Sequence, residues 1–73
     1  MTVITDQVRE LLAAADRWQL YRQLGRYFLD GVEVDVATAQ VITDLVAGCL
    51  LLAPEYGRVA LTEAGQDALG GAR

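Results

Sequence analysis

Seventy-three residues, 53% of them apolar and with a net charge of −4, make one domain near the lower size limit for an independent core. A single cysteine excludes an internal disulfide, and the absence of histidine, serine and lysine removes the usual general base and most nucleophiles, so a catalytic role is not expected. The acidic balance weighs against nucleic acid, whose affinity rests on lysine and arginine neutralising phosphates.

Val8, Leu11, Leu12 and Ala15 fall at the i, i+3, i+4, i+7 positions of one helix face, which predicts a helix over 6–15. Thr5 is placed to cap it, and Asp6 suits its positive end. Over 17–29 the apolar residues Leu20, Tyr21, Leu24, Tyr27 and Phe28 form a second helical stripe whose centre lies roughly opposite the first. One straight helix cannot aim both at a single core. A break near Ala15-Asp16-Arg17, where Asp16 and Gln19 resemble a capping box, therefore divides two helices. Gln19, Arg22, Gln23 and Arg26 then share a face of the second, most simply a solvated one.

Asp30-Gly31 ends this helix, and Val32-Glu33-Val34-Asp35-Val36 alternates as a short half-buried strand. From about Ala37 a third helix turns Val41, Ile42, Leu45 and Cys49 inward and Gln40, Thr43, Asp44 and Ala47 outward. Gly48 releases the chain into a strand at Leu50–Ala53. Pro54 and Gly57 bound a tight turn with Glu55 and Tyr56 at its tip, and Arg58–Leu61 returns as a second strand. Thr62 caps a last helix running to about Leu69, and the tail Gly70–Arg73 is expected to fray.

Single residues support few specific chemistries. Cys49 on an apolar helix face reads as a buried structural thiol. Trp18 reads as a packing residue, against the first helix or in a subunit interface. Asp30, Glu33 and Asp35 match no calcium loop, so neither a metal nor a cofactor is expected. No apolar run reaches the ~18 residues of a membrane span. The segment Met1–Asp6 lacks the pattern of a secretion signal, and a cytoplasmic location is the expectation.

The stretch Val41-Ile42-Thr43-Asp44-Leu45-Val46-Ala47-Gly48-Cys49-Leu50-Leu51 and the segment Gly57-Arg58-Val59-Ala60-Leu61-Thr62-Glu63-Ala64-Gly65 resemble winged-helix regulators of the bacterial MarR and PadR kind. The resemblance covers residues ~17–69, is concentrated in ~41–65, and implies a recognition helix, a β-hairpin wing and the helix that follows. It implies a dimeric DNA-binding transcriptional regulator, with Gln40 and Thr43 facing the major groove, Arg58 on the wing, and Arg22 and Arg26 on phosphates. Asp44 stands on the groove-facing surface and no arginine does, although arginine makes the commonest specific base contact. The strand at Val32–Val36 also leaves no room for a positioning helix directly before the recognition helix, unless residues 17–29 serve.

These readings combine into a small α+β, winged-helix-like domain, mainly helical, with a three-stranded sheet and β-hairpin wing. The expected role is a non-catalytic protein-interaction module using Gln40, Thr43, Asp44 and Tyr56; the alternative is the dimeric DNA-binding regulator. The stripe Val8, Leu11, Leu12 and Ala15 has few visible partners in so short a chain, which predicts a homodimer through the first helix.

Overall fold

The computed structural model describes residues 5–70, and α1 (Asp6–Asp16) begins at their start. As its spacing predicts, Thr5 caps it: the Thr5 hydroxyl accepts from the Val8 N–H at 3.2 Å. Val8, Leu11, Leu12 and Ala15 are all buried, and their partners lie within the chain. They pack in one core with Leu20, Tyr27, Ile42, Leu45, Leu50, Leu51 and Val59. The premise for a dimer through this stripe is thereby removed, because intramolecular burial leaves almost none of it for a second subunit.

Residues 17–29 are not helical. They form a hairpin of β1 (Leu20–Gln23) and β2 (Arg26–Leu29), paired antiparallel from Leu20↔Leu29 to Gln23↔Arg26. Leu24 and Gly25 alone close it, at φ 52° and 75°, the backbone of a two-residue type I′ loop. Asp30 and Gly31, at φ 53° and 85°, make a second such loop into β3 (Val32–Glu33). Asp30-Gly31 therefore turns one strand into the next instead of ending a helix. Asp16 and Gln19 form no capping box, since α1 is ending there. The expected strand at Val32–Val36 is shorter than predicted: Val34 adds a bond to the Tyr27 carbonyl, and Asp35 becomes the cap of α2 (Val36–Ala47).

The Asp35 carboxylate accepts from the Thr38 N–H at 2.8 Å. Hydrogen bonding from Thr38, side chain first and then backbone, holds the Asp35 carboxyl below its ordinary pKa. A depressed folded-state pKa gives stabilisation that is full above the unfolded value and lost as pH falls through the folded one. Asp35→Ala should therefore lower the thermal midpoint most at neutral pH, with the gap to wild type closing on acidification through the carboxylate range. A gap independent of pH in circular dichroism melts would refute this role.

α1 and α2 leave their last turns in the same way. At α1 the Trp18 N–H donates to Ala15 O and the Gln19 N–H to Ala14 O; at α2 the Cys49 N–H donates to Val46 O and the Leu50 N–H to Leu45 O. These are Schellman ends, which place one residue in the left-handed region. Those residues are Trp18 at φ 62° and Cys49 at φ 63°, where glycine is the usual choice. Gly48, expected to release the chain, is one residue early. The reversal also turns Cys49 outward, so the thiol expected in the core is exposed.

β4 (Leu51–Leu52) pairs with β6 (Ala60–Leu61), and between them the chain makes an excursion through β5 (Tyr56–Arg58). β5 pairs with β1, through Tyr21↔Arg58 and Gln23↔Tyr56, so Tyr56 is a strand residue and not a turn tip. The result is a four-stranded antiparallel sheet, β3-β2-β1-β5, and a separate two-stranded one, β4-β6. This replaces the single three-stranded sheet the sequence predicts.

α3 (Glu63–Gly70) closes the described chain; of the expected frayed tail, residues 71–73 lie outside it. Thr62 is its cap as predicted, accepting from the Gly65 N–H at 3.0 Å. The same hydroxyl donates to the Cys49 carbonyl, and the Thr62 N–H donates to the Leu50 carbonyl at 3.2 Å. One threonine thus fastens α3 to the end of α2. No described helix is long and apolar enough to cross a membrane.

Candidate interaction surface

Side chains alternate across a strand, so the register of the four-stranded sheet assigns every residue to one of two faces. The inner face carries Leu20, Tyr27 and Leu29, which join or pack against the core. The outer face carries Tyr21, Phe28, Tyr56, Gln23, Arg26, Glu33 and Arg58, and among the described residues nothing covers it. Tyr21 is 46% exposed and Tyr56 60%. Beside them stands Trp18, 65% exposed, with the Arg58 guanidinium 4.2 Å from the centre of its ring.

A cleft of about 490 Å³ opens on this face, lined by Trp18, Tyr21, Phe28, Gln19, Gln23 and the Asp30-Gly31 loop. Three aromatic side chains from an α1 end and two strands therefore converge on one depression. Local chemistry explains why. The left-handed turn at Trp18 swings the chain from α1 into β1, and the Asp30 N–H donates to Gln19 O at 2.8 Å, holding the hairpin mouth closed.

The residues predicted to bind a partner do not form one site. Gln40, Thr43 and Asp44 share the exposed side of α2, where the Gln40 amide donates to Asp44 at 3.2 Å and the Thr43 hydroxyl to the Ala39 carbonyl at 2.9 Å. Tyr56 belongs instead to the outer face of the sheet, opposite Gln23.

Of the arginines expected on DNA, Arg22 parts from Arg26 and Arg58. Arg22 points to the inner side, where its guanidinium lies 5.7 Å from the Tyr27 ring centre and its Nε is buried without a partner. Arg26 pairs with Glu33 at 3.5 Å, and Arg58 lies over Trp18. The helix face on which Gln19, Arg22, Gln23 and Arg26 were to sit together does not exist, because residues two apart, not three or four, share a strand face. Trp18, Tyr21 and Phe28 were missed as site residues. The signal that marks Tyr21 and Phe28 is the aromatic alternation Tyr21/Phe28 outward and Tyr27 inward, legible only once the hairpin register is known.

Charge is partitioned with the same geometry. The helices and the Asp35 cap hold Asp6, Glu10, Asp16, Asp35, Asp44, Glu63 and Asp67 against Arg9 alone. The sheets and loops between them hold Arg17, Arg22, Arg26 and Arg58 against Asp30, Glu33 and Glu55. The excess negative charge therefore belongs to the helices, and the aromatic face is nearly balanced. Compared with protein families, curated proteins and solved structures, the chain gives no match in any of the three.

Proposed function

We propose that this chain is a small non-catalytic protein-interaction module whose working surface is the outer face of the four-stranded sheet, with Trp18, Tyr21, Phe28 and Tyr56 as its anchors. The observation that carries the reading is the backbone at Trp18. A left-handed conformation costs a non-glycine residue about 1–2 kcal/mol, and this one holds a large aromatic side chain in solvent instead of in the core. Glycine serves that turn better as structure, so tryptophan there answers to something else. Exposed aromatic residues clustered with an arginine have the composition of interface hot spots. The order α2, β4–β6 hairpin, α3 supports a winged-helix-like reading of residues 36–70, with the hairpin as wing. The side of α2 that such a fold lays into DNA offers Gln40, Thr43 and Asp44 and no cation, and the inward turn of Arg22, the pairing of Arg26 with Glu33 and the contact of Arg58 with Trp18 weigh against the regulator alternative.

Trp18→Gly tests this directly. It relaxes the backbone while removing the ring and its contact with Arg58, so the thermal midpoint should hold or rise. In affinity purification, a stoichiometric protein partner retained by wild type and by Gln40→Ala should be lost from Trp18→Gly and Tyr56→Ser. Retention by both face variants would refute the assignment. In parallel, anisotropy of labelled duplexes at about 50 and 200 mM salt should show no binding; affinity falling steeply between them would mean phosphate contacts and revive the regulator.

A further inference from the structure

The cleft on the outer face has a chemistry more specific than an apolar patch. Trp18, Tyr21 and Phe28 supply three aromatic rings, and Gln19 and Gln23 supply amides. No arginine lines it; Arg58 touches Trp18 outside the cleft. Asp30 makes no ion pair or side-chain hydrogen bond among the described residues, whereas Glu33 nearby is paired with Arg26. An unpaired carboxylate beside aromatic rings is complementary to a cation. The ring quadrupoles attract positive charge at their faces, and the carboxylate supplies the counter-charge.

Resting on the interaction-module reading above, we propose that this cleft receives an arginine side chain of the partner protein. Three observations select a guanidinium. It is planar and weakly hydrated, so it stacks on aromatic side chains more readily than an ammonium does. Its fork of donors fits both oxygens of a carboxylate and leaves donors for the Gln19 and Gln23 amides. The protein already stacks one on the same indole, with Arg58 at 4.2 Å. The volume of about 490 Å³ lies within the usual range of ligand pockets.

Trp18 is the only tryptophan in the chain, so its fluorescence reports on the cleft without a label. The full chain is titrated with Nα-acetyl-arginine amide, with the lysine analogue, and with the citrulline analogue, which keeps the shape of arginine and loses its charge. Ionic strength is matched throughout. The arginine amide should give a saturable change, and the citrulline amide should bind at least about tenfold more weakly. Asp30→Asn removes the charge but suits the left-handed turn, since asparagine tolerates that conformation. It should reduce arginine affinity to the citrulline level with the melting curve unchanged, and Phe28→Leu should weaken arginine without changing its preference over citrulline.

Equal binding of arginine and citrulline amides, no saturable arginine response, or an arginine response undiminished in Asp30→Asn would each overturn the proposal. A lysine amide binding as tightly as arginine would overturn the guanidinium assignment. Failure here differs from failure of the wider reading: a partner still lost from Trp18→Gly and Tyr56→Ser would keep the surface and discard only the arginine.

Discussion

Gly65→Ala should cost a large share of the stability of the fold, although the same exchange in an ordinary helix interior stabilises by about 0.5–1 kcal/mol. Gly65 is buried in the first turn of α3, and a methyl group there would run into the Leu50 carbonyl oxygen, with the Leu61 side chain 3.0 Å away on another side. A flexible neighbour would yield. The Leu50 carbonyl cannot, because it accepts the Thr62 N–H while the Leu50 N–H is tied to Leu45 in the end of α2. Over-packing against fixed backbone costs about 1–3 kcal/mol or more, and a core of this size supplies only about 3–5 kcal/mol in all. The clash therefore outweighs the propensity gain. Urea denaturation followed by circular dichroism decides it: a midpoint at or above that of wild type would show that α3 does not sit this close to Leu50.

Leu12→Ala should have the next largest effect. Leu12 has no exposed surface and lies in the core to which α1, the sheet strands and α2 all contribute. Truncating a fully buried leucine costs about 2–5 kcal/mol, through lost transfer energy and the cavity left behind. Against a total of about 3–5 kcal/mol, most molecules would be unfolded at room temperature. The same substitution at Leu24, 74% exposed in the β1–β2 loop, should change stability by less than about 0.5 kcal/mol. Comparable losses at the two positions would mean that the hairpin loop is packed or that α1 is not central.

The three helices were legible in the sequence, and the segment 17–29 between the first two was not. At α1 a capping threonine, an acidic first turn and helical periodicity agree, at α3 the capping threonine and the acidic first turn do, and both helices stand where expected. The Thr62-to-Gly65 segment, which carries much of the resemblance to a wing and its following helix, has a local physical cause here: a threonine binding two backbone partners, then a residue with no room for a side chain. In residues 17–29 the signals conflict. Leu20, Leu24, Tyr27 and Phe28 satisfy a helical spacing by coincidence, while β-strands of four residues are too short to show an alternation of their own. Leu24 disguises the loop, because the first position of a type I′ turn usually holds asparagine, aspartate or glycine. Asp30-Gly31 was the available warning, as this pair flanked by apolar residues is a strong hairpin signal. Cys49 and Trp18 misled for a related reason: the usual glycine of a Schellman end is missing at both, so nothing in the sequence marks where each chain reversal turns its side chain outward.

The excursion of β5 has a consequence for how the molecule comes apart. Arg58 is held against Tyr21, and the Val59 N–H donates to the Leu20 carbonyl at 2.8 Å, so a segment from the second half of the chain completes the sheet built by the first. The larger sheet is finished by neither half alone. Pairings between residues so far apart in sequence demand loop closure before they return any energy, which raises the contact order and slows folding relative to a helical bundle of the same length. They also leave no stable fragment to fall back on, and the interaction face is assembled only when both halves meet.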